Sequence, residues 1–351
     1  MKRSLLLFTA ILILLCAKAQ AQSGFDQLIK STPGDASKLI NAYSDPLFKE
    51  LGFGLNTGWN NTAKSKGLLH FDLRVTATAP FAPSSAKSFD VTQIGLSNHV
   101  KPATANTISP TFIGSGTAGP SLNVYDDNGN KVSSFSMPGG QINVVPTPQI
   151  QLTVGIIKNT DVSIRAIPKT TVSSDVGTVS MFGFGLKHDI VQDFGTAGKL
   201  IPFDLALAFG YSRLSYNKSL NVQPESGAQP VNAQQSTDFI NQRIDGHLNS
   251  FMLQAILSKQ ILFFTPYVSV AYNTATTNVG LLGNYPVTTN ATITGPKYTS
   301  YTNPVTIDQK SVNGVRGEVG FQLSLAVFKI YGSYGIAQQY NLINAGIGLG
   351  F

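Results

Sequence analysis

The feature of this sequence that most restricts its fold is an alternation of apolar and polar residues with a period of two. In residues 69–77 every odd position is apolar and the even positions are mostly charged or polar, and residues 319–325 repeat the pattern. Successive side chains of a β-strand point to opposite faces, so each such segment has one apolar and one polar face. Because these segments recur along the chain and turn residues separate them, the sequence predicts an all-β protein.

Two architectures suit strands of this kind. In a soluble secreted β-sandwich the apolar faces turn inward, whereas in an outer-membrane barrel they face lipid and the polar faces line the lumen. The end of the chain favours the barrel, because the last strand is apolar on one face and stops at an aromatic residue. This pattern is similar to the C-terminal signal by which bacterial outer-membrane barrels reach their assembly machinery. The residues of the predicted assembly signal are Ile343, Ala345, Ile347, Leu349 and Phe351.

The connections between the predicted strands alternate between short and long, as in outer-membrane barrels. Long external loops are predicted near 97–145, 219–242 and 279–310. The sequence therefore predicts an antiparallel transmembrane β-barrel over residues 52–351, with about 12 strands and a range of about 10–14. The predicted strands lie near 52–62, 67–79, 88–96, 146–157, 160–170, 177–190, 203–218, 243–258, 263–278, 311–327, 328–338 and 341–351.

Residues 1–21 have the composition of a cleaved export signal. A basic start is followed by an apolar run that is too short to span a membrane, and then by small residues. Ala19 and Ala21 occupy the −3 and −1 positions of a cleavage site after residue 21. The single cysteine of the chain, Cys16, lies in this signal, so the mature chain has no thiol for a disulfide, a metal or nucleophilic attack.

Residues 22–51 predict a short helical segment ahead of the barrel. Asp35 is suited to cap one helix, and Asp45, followed by Pro46, is suited to cap a second that ends at Gly52. Their apolar residues recur at helical spacing and have to be buried. Two places remain open: the segment plugs the lumen, or it packs against the periplasmic rim.

Several short runs of the sequence resemble an uncharacterised family of exported barrel-like proteins. These runs are residues 39–48, 52–63, 182–188 and 202–205. The resemblance implies export and a barrel, and it implies no activity because the family has none established. A helical segment ahead of a barrel is more distantly similar to the long-chain fatty-acid transporters of the outer membrane, which pass hydrophobic molecules. The Asn-Pro-Ala hatch motif of those transporters is missing from this sequence.

No motif predicts a catalytic, metal or cofactor site. The glycine-rich run 114–119 has dinucleotide-binding spacing, but Pro120 follows where that motif needs a helix. The four histidines are scattered and lack the spacing of zinc ligands. The small surplus of basic residues shows no cluster, so no nucleic-acid partner is predicted. The chain is not expected to be an enzyme or to hold a cofactor.

The informative polar residues lie on the inward face of the predicted strands. A charged side chain on the lipid-facing side costs about 2–4 kcal/mol near the bilayer midplane. The charged positions of each strand are therefore expected to face the lumen. Two roles remain open for these residues: a network of opposite charges that fills a narrow barrel, or a constriction that sets solute preference. The predicted lumen-facing residues are His70, Asp72, Arg74, Arg165, Lys187, Asp204, Arg316, Glu318 and Lys329.

These patterns together predict an outer-membrane β-barrel of a Gram-negative bacterium, in contact with outer-membrane lipid and the barrel-assembly machinery. The leading hypothesis for its function is a passive channel or carrier for small solutes, including hydrophobic ones. The alternative is a structural or partner-binding barrel with a filled lumen. A soluble secreted β-sandwich is the third hypothesis, which requires the terminal Phe351 signal to be accidental.

Overall fold

The computed structural model describes residues 25–351, apart from residues 158, 175, 197, 293 and 294. The predicted signal peptide, with its cleavage residues Ala19 and Ala21, lies outside the described residues. The chain has a helical turn at Phe25–Leu28 and a long helix at Pro33–Asn56, which we call the lumen helix. Short 3-10 turns lie at Ser84–Ala86, Val91–Gln93, Val191–Phe194 and Gly198–Leu200. In chain order the strands are β1 (Phe71–Phe81), β2 (Ser88–Asp90), β3 (Val100–Pro102), β4 (Ile108–Pro110), β5 (Ser121–Tyr125), β6 (Lys131–Ser136), β7 (Thr147–Gly155), β8 (Thr160–Ser173), β9 (Gly177–Asp189), β10 (Asp204–Ser219), β11 (Gln229–Pro230), β12 (Arg243–Ser258), β13 (Phe264–Leu282), β14 (Asn284–Thr292), β15 (Gly295–Thr302), β16 (Val305–Leu325), β17 (Phe328–Ala337) and β18 (Tyr340–Gly350).

The long strands close into one antiparallel barrel. Its order is β1-β18-β17-β16-β13-β12-β10-β9-β8-β7, and β7 pairs with β1 to complete the ring. The last strand joins the first, with Asp72 opposite Gly350 and Phe81 opposite Asn341. Closure removes the exposed sheet edges that an open antiparallel sheet would leave. The predicted all-β antiparallel barrel is confirmed in architecture.

Among the residues that the structure describes, the barrel has ten strands, so the predicted number of about 12 was wrong, although ten lies within the predicted range. Two of the predicted strands account for the difference. Residues 52–62 contain the end of the lumen helix and an irregular stretch after it. Residues 88–96 contain only the short strand β2 and a 3-10 turn, both outside the barrel. The barrel therefore begins at Phe71 and not at residue 52.

The glycines of 52–58 explain why this stretch imitates a strand. Gly52 and Gly54 alternate with the buried Phe53 and Leu55, which gives a period of two on a helix. A Cβ at Gly52 would lie 2.8 Å from the Cβ of Ala275, and one at Gly54 would overlap Thr147. Glycine is thus present because the helix lies directly against the barrel wall.

A single helix replaces the two that the sequence predicted. Thr32 precedes it, and Pro46 lies in its interior. Asp35 does not cap the helix through its side chain, since that carboxylate accepts a hydrogen bond from the backbone N–H of Ser97 at 2.8 Å. Asp45 pairs instead with Lys49 on the next turn, at 2.7 Å. The helix also continues past the predicted boundary at residue 51, to Asn56.

The lumen helix lies inside the barrel, so of the two places left open by the sequence it takes the lumen. Phe53 and Leu55 pack in one apolar cluster with inward residues of the barrel strands, among them Met181, Leu248 and Val312. The first turns of the helix pack against the long connections at one end of the barrel. The helix therefore enters the lumen from that end and finishes near its middle.

The long connections, residues 82–146, 220–242 and 283–304, form what we call the cap. They carry three small sheets: β2-β4, β3-β5-β6 and β11-β15-β14. The predicted loop at 279–310 is shorter in the structure, because β13 extends to Leu282 and β16 starts at Val305. We call residues 25–66 the N-terminal part. Leu28 of its first helical turn and Leu39 and Ile40 of the lumen helix pack with cap residues such as Leu122 and Tyr285. The N-terminal part and the cap thus share one apolar core.

The outer face of the barrel is apolar, and the inward face is largely polar. In the part of the chain that the structure describes, no helix is both long enough and apolar enough to cross a membrane. All five residues of the predicted assembly signal are exposed, on the outward face of β18 or directly after it. The larger apolar side chains exposed on this face include Leu73, Leu152, Ile164, Phe182, Phe184, Leu186, Leu207, Leu253, Leu257, Val268, Val270, Val315, Val319, Ile330, Ile336, Ile343, Ile347 and Leu349.

We expect Gly210→Ala to destabilise the folded barrel by about 1–3 kcal/mol, the usual range for overpacking a core. A Cβ at Gly210 would lie 2.7 Å from the indole of Trp59 in the lumen. Gly317→Ala is the matched control, because nothing lies within 4 Å of a Cβ there. The measurement is urea unfolding of the refolded protein in detergent micelles, and equal midpoints for the two variants would contradict the close packing.

Candidate functional site

The lumen is occupied at mid-height by the end of the lumen helix and by residues 57–66, which we call the lumen segment. The last carbonyls of a helix have no partner within the helix, and they carry its partial negative charge. Barrel side chains supply most of the missing donors here. The amide of Gln149 donates to the carbonyl of Gly54 at 2.6 Å, and the hydroxyl of Thr57 donates to that of Phe53 at 2.8 Å.

Arg165 of β8 makes the largest contribution to this end of the helix. Its Nη1 donates to the carbonyl of Leu55 at 3.0 Å and its Nη2 to that of Thr57 at 3.1 Å, while Nε donates to Gln151 at 2.8 Å. The guanidinium also lies 3.7 Å from the centre of the Trp59 ring. Arg165 is fully buried, and none of the salt bridges between described residues includes it. Its charge is therefore balanced by carbonyl dipoles and an aromatic face.

Arg316 of β16 binds the same helix end from another wall of the barrel. Its Nη1 donates to the carbonyl of Asn56 at 2.9 Å and to the hydroxyl of Thr57 at 2.6 Å. Its Nη2 lies 3.2 Å from Glu318, and that carboxylate accepts a hydrogen bond from the hydroxyl of Tyr267 at 2.7 Å. Since an isolated buried carboxylate would be costly, Glu318 and Arg316 stabilise each other.

Two further cations bind the lumen segment below the helix. Arg74 of β1 donates to the carbonyl of Trp59 and, at 2.5 Å, to the side chain of Asn61. Lys187 of β9 donates to the carbonyls of Thr62 and Lys64 at 3.1 and 2.8 Å. It also pairs with Asp161 on the neighbouring strand, at 3.1 Å. Four cations from four strands thus bind backbone carbonyls between residues 55 and 64.

A third group of charges lies around Asp72, near the end of the barrel that holds Phe351. Asp72 accepts hydrogen bonds from Lys329 at 2.8 Å and from the hydroxyl of Tyr331 at 2.9 Å. Lys66, the last residue of the lumen segment, lies 3.5 Å from the same carboxylate. Lys66 lies outside the strands, and burial lowers the pKa of its ammonium group to about 7, while Asp72 opposes the shift.

Trp59 is the only tryptophan of the chain, and it lies between the wall and Arg165. Its indole N–H donates to the carbonyl of Leu55 at 3.2 Å. A Cβ at Gly185 or Gly210 would lie within 3 Å of the ring, so glycines on β9 and β10 make room for it. The single tryptophan is therefore a natural fluorescent reporter of the lumen segment.

The structure buries six of the nine predicted lumen-facing residues inside the barrel: Asp72, Arg74, Arg165, Lys187, Arg316 and Glu318. Lys329 is part-buried and contacts Asp72, and Asp204 is part-buried at the first position of β10. The prediction for His70 was wrong. His70 precedes β1 and is exposed in the turn where Leu69 has a φ of 62°, so strand parity does not apply to it.

Sequence reasoning missed the residues that these charges bind. Trp59 and Asn61 lie in the run 52–63 that resembles the exported family, but that resemblance gave them no role. The carbonyls of residues 55–64 could not be singled out, because every residue has a main-chain carbonyl. Gln149 and Gln151 on β7 also alternate inward, but a neutral amide lacks the charge that marks a lumen-facing position. A lone tryptophan beside glycine-rich strands was the one available signal.

A separate group of hydrogen-bonded polar side chains lies at the rim near Phe351. Nδ1 of His188 lies 2.9 Å from the hydroxyl of Thr160, and Nε2 lies 2.7 Å from the carboxylate of Asp193. A hydroxyl, an imidazole and a carboxylate in this order are the elements of nucleophilic catalysis. The amide of Thr160 already donates to the carbonyl of Ile157, so it is not available to stabilise an oxyanion. These side-chain contacts of His188 join the 3-10 turn Val191–Phe194 to β8 and β9.

Metal ligation has no support in the described part of the chain, where no three His, Cys, Asp or Glu side chains come together.

Comparison with known proteins identifies a family and several barrels of low similarity. The model of a family described as "Family of unknown function (DUF6588)" matches residues 1–351. No curated protein sequence matches the chain. Among solved structures, the outer membrane protease OmpT from Escherichia coli is 10% identical with a TM-score of 0.33, over 84% of this chain and 100% of that chain. The translocator domain of the autotransporter NalP from Neisseria meningitidis is 9% identical with a TM-score of 0.30, over 88% of this chain and 96% of that chain. These scores are low, and the likeness carries no inference about activity.

We expect Arg165→Met to loosen the lumen segment. The substitution leaves the buried carbonyl of Thr57 without a donor, at about 1–3 kcal/mol, and leaves the carbonyl of Leu55 with the indole N–H of Trp59 alone. The emission of Trp59 should shift to the red, and its quenching by acrylamide should increase, in the refolded barrel. Arg213→Met is the control, because Arg213 is exposed on β10. Identical quenching in the two variants would contradict the anchoring.

The lowered pKa of Lys66 predicts a pH dependence of stability. Between pH 7 and 9 the unfolded chain keeps this proton and the folded chain releases it, so this group makes the free energy of unfolding rise with pH. The rise is at most about 1.4 kcal/mol per pH unit. Lys66→Met should remove it, whereas Lys64→Met, at an exposed position, should not. A wild-type curve parallel to that of Lys66→Met would refute the assignment.

Proposed function

Because the chain belongs to the DUF6588 family of unknown function, its role has to follow from its own geometry, and we propose an outer-membrane barrel that its own N-terminal part keeps closed. The cap is then the functional surface, exposed to the outside of the cell, where it binds a ligand or a partner. This is the filled-lumen hypothesis of the sequence analysis. The proposal includes export through a cleaved signal, delivery to the barrel-assembly machinery, and no enzymatic activity.

The outer surface supports a location in the outer membrane. A closed barrel satisfies its backbone polar groups between strands, which is what a lipid environment requires. Exposed apolar side chains cover the outward positions of the strands, and buried charges lie on the inward ones. The end with the short connections and Phe351 would face the periplasm, which directs the cap outward.

The observation that carries the proposal is the binding of carbonyls 55–64 by Arg74, Arg165, Lys187 and Arg316. For solute to pass, the lumen segment would have to leave these partners. Arg165 would then lose its compensating carbonyls, and the removal of one partner of a buried charge costs about 3–5 kcal/mol. An open lumen is consequently the minor state, so the passive channel or carrier that the sequence suggested is less favoured.

Single-channel recording in a planar lipid bilayer tests this proposal. The wild-type barrel should show no stable conductance, whereas the double variant Arg165→Met/Arg316→Met should show openings because its helix end is no longer held. Arg213→Met/Arg243→Met removes two exposed arginines and should remain silent. Heat-modifiable migration on a gel verifies that each variant is a folded barrel.

Steady conductance of the wild-type barrel would overturn the closed-barrel proposal and would restore the passive channel. If the methionine variant fails to fold, Arg165→Lys/Arg316→Lys serves instead. Lysine keeps the charge but loses the paired donors of the guanidinium, so weaker anchoring and rarer openings are expected.

A further inference from the structure

The cap contains a cavity of about 210 Å³ that the closure of the lumen does not explain. The N-terminal part and all three cap connections line it: Lys30 follows the first helical turn, Glu225 lies in connection 220–242, and Thr288 and Tyr298 lie on β14 and β15. Ser133 of β6 adds the third connection. A hollow to which four separate segments contribute is a feature of the folded cap as a whole.

Two opposite charges line this cavity without pairing. Lys30 is half-buried and Glu225 is exposed. Among residues 25–351, with the gaps stated above, no salt bridge within 4.0 Å involves either side chain, and the two are not paired with each other. Because Lys30 and Glu225 line the same small cavity, their opposite charges make them a fitting pair of partners for a ligand that carries both charges.

The remaining wall is neutral and suits a small organic molecule. Asn221 and Gln223 contribute side-chain amides, while Val222 and Pro286 contribute apolar surface. Tyr298 is buried and held by an edge-to-face contact with Phe239, with ring centres 5.9 Å apart. Such a wall can accept both hydrogen-bonding groups and a short apolar group.

The volume limits the size of the ligand. Cavities for drug-sized molecules measure about 300–1,000 Å³, and an engineered cavity of about 150 Å³ takes up benzene. At 210 Å³, the cavity lies between these values. A single amino acid fits this range, and a longer peptide does not.

We propose that the cap cavity binds a small zwitterion of the α-amino-acid class. Its ammonium group pairs with Glu225, and its carboxylate pairs with Lys30. The proposal rests on the proposed function, since it gives the outward-facing cap a ligand. The site does not require the lumen segment to move.

Isothermal titration calorimetry on the full mature chain, refolded in detergent micelles, tests the site with three matched probes. L-Leucine carries both charges, L-leucinamide only the ammonium, and N-acetyl-L-leucine only the carboxylate. Leucine should bind at least tenfold more tightly than either analogue. Glu225→Gln should reduce the affinity for leucine at least tenfold and leave the affinity for N-acetyl-leucine unchanged. Lys30→Met should reduce the affinity for leucine at least tenfold and leave the affinity for leucinamide unchanged.

The control variants are Asp127→Asn and Lys131→Met, which remove exposed cap charges that do not line the cavity and should leave leucine affinity unchanged. Equal affinity for the three probes, tighter binding of D-glucose than of leucine, or no leucine heat at millimolar concentration would overturn the proposal. If the barrel shows no conductance in the bilayer and does not bind leucine, only the proposed site is refuted. If the barrel conducts and binds leucine, the closed lumen is refuted and the proposed site stands.

Discussion

The neutralisation of the negative end of the lumen helix by buried arginines is the interaction on which the rest of the lumen depends. A helix that ends inside a barrel presents unpaired carbonyls where water is largely excluded, and each unpaired carbonyl would cost about 1–3 kcal/mol. Arg165 and Arg316 approach from different strands and bind the carbonyls of Leu55, Asn56 and Thr57. The arginines would be equally costly without the helix. The buried arginines and the end of the lumen helix therefore require each other, and the barrel wall and its contents form one structure.

The glycines of the wall and of the helix serve the same arrangement. Gly52 and Gly54 bring the helix backbone against β7, β13 and β16, while Gly185 and Gly210 accept the ring of Trp59. In a barrel whose lumen stayed open, the strand positions of Gly185 and Gly210 could hold larger inward side chains. The small residues are thus concentrated where the lumen contents come closest to the wall, which explains their presence in strands that glycine otherwise destabilises.

Sequence reasoning recovered the fold where side-chain alternation is strong and failed where backbone contacts decide. Which residues of β1, β8, β9 and β16 face inward followed from alternation, because a charged side chain at an outward position would be destabilising. The strand predicted at 52–62 failed because glycine and apolar residues also alternate on a helix that touches a wall. The prediction for His70 failed because the alternation of side chains does not show at which residue a strand begins. The partners of Arg165 and Arg316 could not be predicted, since main-chain carbonyls belong to every residue alike.

The topology restricts when the lumen segment can enter the barrel. Residues 28–40 are packed into the cap at one end, residues 57–66 lie in the lumen, and β1 begins at the other end. β1 is also the strand on which β18 closes the ring. If the ring closed first, the apolar residues that pack into the cap would have to pass between the inward charges of the wall. Closure of β18 onto β1 around a segment already in place avoids that passage, and the arginines then bind carbonyls as the barrel forms. The same buried charges that keep the lumen closed thus favour an order of assembly in which the helix is enclosed and not inserted.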